Sequence, residues 1–249
     1  MRARAYHELA VGGVGASVRH RLLLRSAGLA AIAVPIFFAV ALIVFGIRRL
    51  SYSGAGHIEP GYNLLTRAGS ELGARGTPDA LAFNAVHFYA TGALLVLFGA
   101  GVYRAVEYRL SGRVAALVLF LGGLSAALSG VFSLDPYSQQ AMIVHLSVGI
   151  PFFFGVPIAA LMIARALSDD AASRRQSGFS LWLGVLFLIW VVAGIAAMRF
   201  GLPPGVFQRS LFVPLTLWFV GMGLWLLRLS GRDAPAEQGG VAVVRASGS

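Results

Sequence analysis

Six stretches of this chain contain no Asp, Glu, Lys or Arg: Ser26–Ile47, Ala80–Tyr103, Val114–Leu134, Pro136–Ala164, Gln176–Met198 and Ser210–Leu227. Each reaches or exceeds the roughly 18 residues that a helix needs to cross about 30 Å of hydrocarbon. In hydrocarbon every backbone N–H and C=O must find a partner within the protein, which leaves only helices and closed barrels. Barrel strands alternate apolar and polar residues over about ten positions, and these runs do not alternate. Composition agrees: 57% of the residues are hydrophobic and 12% charged, against about 25% charged in soluble domains. The expected fold is all-α, an integral membrane bundle of six transmembrane helices.

Arginines set the expected orientation. The first run is too long for a signal-peptide core of about 7–15 residues, so it reads as a retained span. On alternating sides of six spans the arginines divide into fourteen and six. The richer side holds both termini and the loops Arg104–Arg113 and Arg165–Arg175. Basic loops stay cytoplasmic, so the prediction is N-in and C-in. Three regions follow: a basic cytoplasmic segment 1–25, the transmembrane domain 26–228, and a Gly/Ala/Ser-rich tail 229–249 expected to be disordered. The net charge of +10 comes entirely from scattered arginines, a distribution that does not point to nucleic acid. The absence of cysteine rules out disulfides and thiolate metal sites.

The long loop Arg48–Asp79 would face outward. Leu65, Ala68 and Leu72 repeat there at helical spacing, which predicts a short interfacial helix ended by Gly73 and Gly76. Thr77, Pro78 and Asp79 read as the start of the second span: a capping hydroxyl, a proline at the first helical position and an acid at the positive end of the dipole. In the third span, GGLSAALSG repeats small residues every four positions (Gly122, Ala126 and Gly130; Gly123 and Ala127), the pattern that lets helices approach closely in lipid. Pro151, Pro157 and Pro214 are expected to kink the fourth and sixth spans.

Polar side chains gather toward one end of the spans. Asn84, His87 and Thr91 recur at i, i+3 and i+7, which places them on one helix face. Asp135 follows the third span, His145 lies near the start of the fourth and Arg209 opens the sixth, while Ser70, Glu71, His57 and Glu59 belong to the long loop. Ionisable groups within spans are costly and mark functional sites by default. The expectation is an outward-facing pocket with Asn84, His87, His145 and Arg209 as binding residues and Ser70, Glu71 and Asp135 as catalytic candidates.

SELG at Ser70–Gly73, FSLDP at Phe132–Pro136, His145 and Gln208–Arg209 together resemble the multi-pass membrane family of bacteria and archaea called domain of unknown function 998. The resemblance covers roughly residues 49–227 and implies a six-helix fold in a bacterial or archaeal cell membrane. It implies Ser70, Glu71, Asp135, His145 and Arg209 as site residues, and it supplies no reaction. The chain departs from the family pattern at Ser133–Leu134, which separate Phe132 from Asp135, and at Gln208, where a glutamate is frequent.

Three functions compete at this level. The simplest is binding of a membrane lipid, a small amphiphile or a partner helix. The second is an intramembrane lipid hydrolase in which His87, His145 and Asp135 hold zinc, Glu71 acts as base and Ser70 binds substrate. The third is a small-solute transporter, proton-coupled through His87 and His145. No protein partner is specified by the sequence.

Overall fold

The structure is a computed structural model that describes the backbone of residues 2–50, 62–135 and 137–231, with side chains from Val18 onward in those ranges. His57, Glu59 and nearly all of the C-terminal tail lie outside the described residues. Six helices are long and apolar enough to cross a membrane. They are α1 (Arg2–Leu50), α2 (Ala80–Val106), α3 (Leu110–Val131), α4 (Gln139–Leu167), α5 (Arg174–Met198) and α6 (Pro204–Ser230). No strand occurs among the described residues. The chain is a multi-pass membrane protein of the all-α class.

Each helix packs on its successor, and α6 returns to α1, so the six form a closed ring in chain order. Lipid tails are as apolar as leucine, so helix association in a bilayer depends on close packing, not on expulsion of water. Glycines supply the closeness. A Cβ on Gly92 of α2 would stand 2.6 Å from the Gly123 carbonyl of α3, and one on Gly123 would stand 2.7 Å from the Gly92 carbonyl. Gly28 of α1 and Gly223 of α6 face each other in the same way, at 2.8 and 2.6 Å. The repeat in the third span thus serves two neighbours: Gly123 and Ala127 meet α2, while Gly122 faces Pro151 and Phe152 of α4. The helices run through Pro35, Pro151, Pro157 and Pro214 without a break.

Several helix ends differ from the charge-free runs. α6 begins at Pro204, so Arg209 lies within its second turn and does not open it. α2 begins at Ala80, after Asp79 in the left-handed conformation (φ 60°). The Thr77 hydroxyl caps nothing in α2; it donates back to the Leu72 and Ala74 carbonyls at 3.0 and 2.8 Å. Asp79 pairs with Arg48 at 3.1 Å. The interfacial helix is also different: only a five-residue 3-10 turn forms, Gly69–Gly73. Leu72 is buried and Leu65 exposed, so the two leucines do not share an apolar face. The segment is folded against the bundle by tertiary hydrogen bonds, which override its local periodicity.

The reciprocal glycine contact predicts a specific weakness. Gly92→Leu should destabilise the purified protein by about 1–3 kcal/mol, the usual cost of overpacking, and lower its melting temperature in detergent. Gly178→Leu, at a position with open space around the Cβ, should leave it nearly unchanged.

Candidate binding pocket

α2 changes its winding where it matters most. Between two α-helical stretches, Ala85–Ala90 forms a π-helical turn, a wider coil that recurs at functional sites in helices. His87 lies in it, buried against Phe38 (ring centroids 3.8 Å apart), Phe83 (4.6 Å) and Phe88 (4.8 Å). Thr91, one turn on, is equally buried. Nδ1 of His87 and Oγ1 of Thr91 have no hydrogen-bond partner. Asn84 is drawn elsewhere: its amide nitrogen donates to the Gly73 carbonyl at 3.1 Å, tying α2 to the outer turn.

His145 comes in from α4. Its Nδ1 lies 2.8 Å from the Phe132 carbonyl at the end of α3, so Nδ1 carries the proton and Nε2 of the neutral ring presents a lone pair. The Phe88 ring stands edge-on to both histidines, 4.8 Å from His87 and 5.9 Å from His145. Ser129 Oγ donates to the Ser125 carbonyl at 2.9 Å, one turn back in α3.

These side chains line a pocket of about 420 Å³, a size typical of small-molecule sites. Phe38, His87, Phe88 and Ser129 form its inner wall, α4 from Ile143 to Phe154 forms one side, and the ends of α5 and α6 form the other. Ala68, Ser70 and Gln208 stand at its loop end. Among the described residues no Arg, Lys, Asp or Glu lines it. Its rim residues Ile143, Leu146, Ile150 and Ile195 are exposed on the outside of the ring.

The remaining candidate residues build the loop. Arg209 Nη1 donates to the carbonyls of Arg67 and Gly205, both at 2.9 Å, and its Nη2 donates to the Tyr62 hydroxyl at 2.7 Å. The Tyr62 hydroxyl in turn donates a hydrogen bond to the Ala68 carbonyl at 2.9 Å. The Val206 N–H bonds the Leu65 carbonyl at 2.9 Å. The chain crosses so close to Gly205 that a Cβ there would meet the Leu64 and Leu65 carbonyls at 2.6 Å. Gln208 Oε1 accepts the Gly69 N–H, so this end of α6 holds the loop without an acid. Glu71 accepts the Ala68 N–H at 2.9 Å through one oxygen and pairs with Arg67 at 3.5 Å through the other. Asp135 accepts the Tyr137 N–H at 3.0 Å in the turn before α4.

The structure therefore brings His87 and His145 to one pocket, with Ser70 at its edge, and places Glu71, Asp135, Asn84 and Arg209 outside its lining. Among the described residues no three His, Asp or Glu side chains are grouped so as to hold a metal ion, so the proposed zinc ligands His87, His145 and Asp135 do not form a cluster. Sequence reasoning missed Tyr62, Phe38, Phe88 and Ser129. Phe38 and Phe88 carry no signal in an already apolar run, and Tyr62 gains its role only from Arg209, 147 residues away.

The family model described as protein of unknown function DUF998 matches residues 50–225, and the chain belongs to that family. No curated protein and no solved structure matches it.

Burial raises the Tyr62 phenol above its ordinary value of 10.0, and the Arg209 guanidinium opposes the rise only partly. A folded-state pKa above the unfolded one means the neutral phenol stabilises the fold below about pH 10, and that contribution is lost as pH rises through the folded value. The melting temperature should therefore fall more steeply above pH 10 in the wild-type protein than in Tyr62→Phe, measured side by side in one detergent.

Proposed function

We propose that this protein binds a single small membrane amphiphile in the pocket between α4 and the α5–α6 hairpin. The observation that carries the reading is a cavity of about 420 Å³ whose lining, among the described residues, includes no Arg, Lys, Asp or Glu. Apolar walls with a few convergent polar groups are the usual form of a ligand site. The exposed rim of Ile143, Leu146, Ile150 and Ile195 gives a hydrocarbon chain a sideways entry from the bilayer, with no need to pass through water. Glu71 and Asp135 are occupied in loop and turn hydrogen bonds, which suits a binding role better than hydrolysis. Membrane lipids are on this reading the source of the ligand.

The arginine count supports placing the loop end of the pocket outside the cell membrane and both termini in the cytoplasm. A reporter fused at Gly76, in the exposed turn before α2, is expected to read as external; a cytoplasmic signal would reverse the orientation.

Gly149 lines the pocket, and a Cβ there would make only ordinary contacts, 3.8 Å to Phe153 and 3.9 Å to Ser129. Gly149→Phe should fill the cavity with little loss of thermal stability. Mass spectrometry of protein extracted in mild detergent should find a co-purifying lipid with the wild type and much less with the variant. Equal lipid on both, or none on either, would sink the pocket reading.

A further inference from the structure

The polar groups around the pocket narrow the chemistry of what fits. A neutral imidazole offers one N–H and one lone pair, and a threonine hydroxyl both donates and accepts. His87 Nδ1 and Thr91 Oγ1 are buried, belong to residues that line the pocket, and have no partner. The third group is one-sided. Nδ1 of His145 gives its hydrogen to the Phe132 carbonyl, so its Nε2 can only accept. A ligand group that merely accepts, such as an ester, ketone or ether oxygen, leaves that lone pair unmet. A hydroxyl both donates and accepts, so it can complete a histidine and the threonine together.

Charge is excluded on separate grounds. Burying an ion among Phe38, Phe88, Phe152 and Phe153 without an opposite charge is prohibitive, and among the described residues no Arg, Lys, Asp or Glu lines this space. The depth is consistent between helices. His87 is seven residues into α2 and His145 six residues into α4, each about 10 Å from that end of the bundle at 1.5 Å per residue. In a bilayer centred on these helices both histidines would stand at the level of acyl chains, below lipid headgroups. We infer that the pocket selects an uncharged amphiphile with a hydroxyl group, held among His87, Thr91 and His145 with its hydrocarbon part against the phenylalanines of α4. This rests on the pocket reading above and adds the donor rule to it.

The test uses the full chain in lipid nanodiscs and two isomeric probes of equal length, radiolabelled 1-hexadecanol and pentadecyl methyl ether. Only the alcohol carries an O–H donor. Saturable binding of hexadecanol at about one per chain is expected, with the ether weaker by about tenfold, as befits one buried group left unpaired. Thr91→Val keeps the side-chain shape and should narrow the gap, and Gly149→Phe should abolish both signals. Equal affinity of alcohol and ether in the wild type would overturn the donor rule while leaving the pocket standing, since the unmet atoms would then be served by trapped water. Failure of both probes to bind saturably would remove the pocket and the donor rule together. The wild-type comparison decides even where a variant does not fold.

Discussion

Gly28 on α1 and Gly223 on α6 lie back to back, and the ring depends on that closure. The first and last helices are far apart in the chain, and in a bilayer no expulsion of water draws them together. Backbone contact at two glycines gives dispersion a short enough range to act. Once six helices close in chain order, their centre is wider than any one side chain can fill. Toward the Val106 end it is plugged: Phe98, Trp218 and Phe219 meet edge to face at 5.2–5.7 Å and are essentially unexposed. Toward the loop end Phe38, Phe83, His87 and Phe88 cluster around the π-helical turn, and the pocket lies beside them.

Arg209 shows how a charge is kept within the second turn of a helix that spans a membrane. An unpaired guanidinium in a span is expensive, and the sequence offers no acid beside it. The structure answers with carbonyls. Two backbone oxygens and a phenol take three of its hydrogen bonds, and the loop that supplies them is held in place by the same bonds. The arginine and the loop thus satisfy each other. Gly205 is what allows the loop backbone to come so near, and Gln208 accepts the Gly69 N–H without adding a charge.

The six spans were legible because a hydrocarbon slab imposes a rule on every residue of a run. Ser26–Ile47 or Val114–Leu134 needs no tertiary context to declare itself, and family resemblance through SELG, FSLDP, His145 and Gln208–Arg209 agreed with the family match. Helix ends were less legible. Pro204–Arg209 continues α6 beyond its charge-free run because a terminal turn can carry an arginine that bends back to polar groups. The loop was misread for a deeper reason. Leu65, Ala68 and Leu72 have helical spacing, but Tyr62, Arg209 and Gln208 fix their backbone through contacts that span more than 130 residues. Of the site candidates, spacing on α2 correctly grouped His87 with Thr91. It had no means to show that Asn84 turns to Gly73, or that Glu71 and Asp135 serve turns.

The energetics of the pocket wall argue for a ligand more strongly than its volume does. Most buried polar groups in native proteins are paired, and each unpaired one costs about 1–3 kcal/mol. His87 and Thr91 leave one atom each unpaired on the same face, where leucine and valine would fill similar space at no such cost. Other buried groups of the ring are paired, as where Trp218 donates to Ser180 at 3.1 Å and Ser177 to the Ala164 carbonyl at 2.8 Å, while Asn84 Oδ1 and Arg209 Nε, outside the pocket lining, also lack a partner. Sequences that obey local rules throughout tend to break them at functional sites. Here His87 lies in, and Thr91 directly after, the one π-helical turn among the described residues, and both line the cavity. A molecule that enters from the bilayer and brings its own hydroxyl would repay the cost locally, which links the wide turn, the unmet atoms and the pocket in one arrangement.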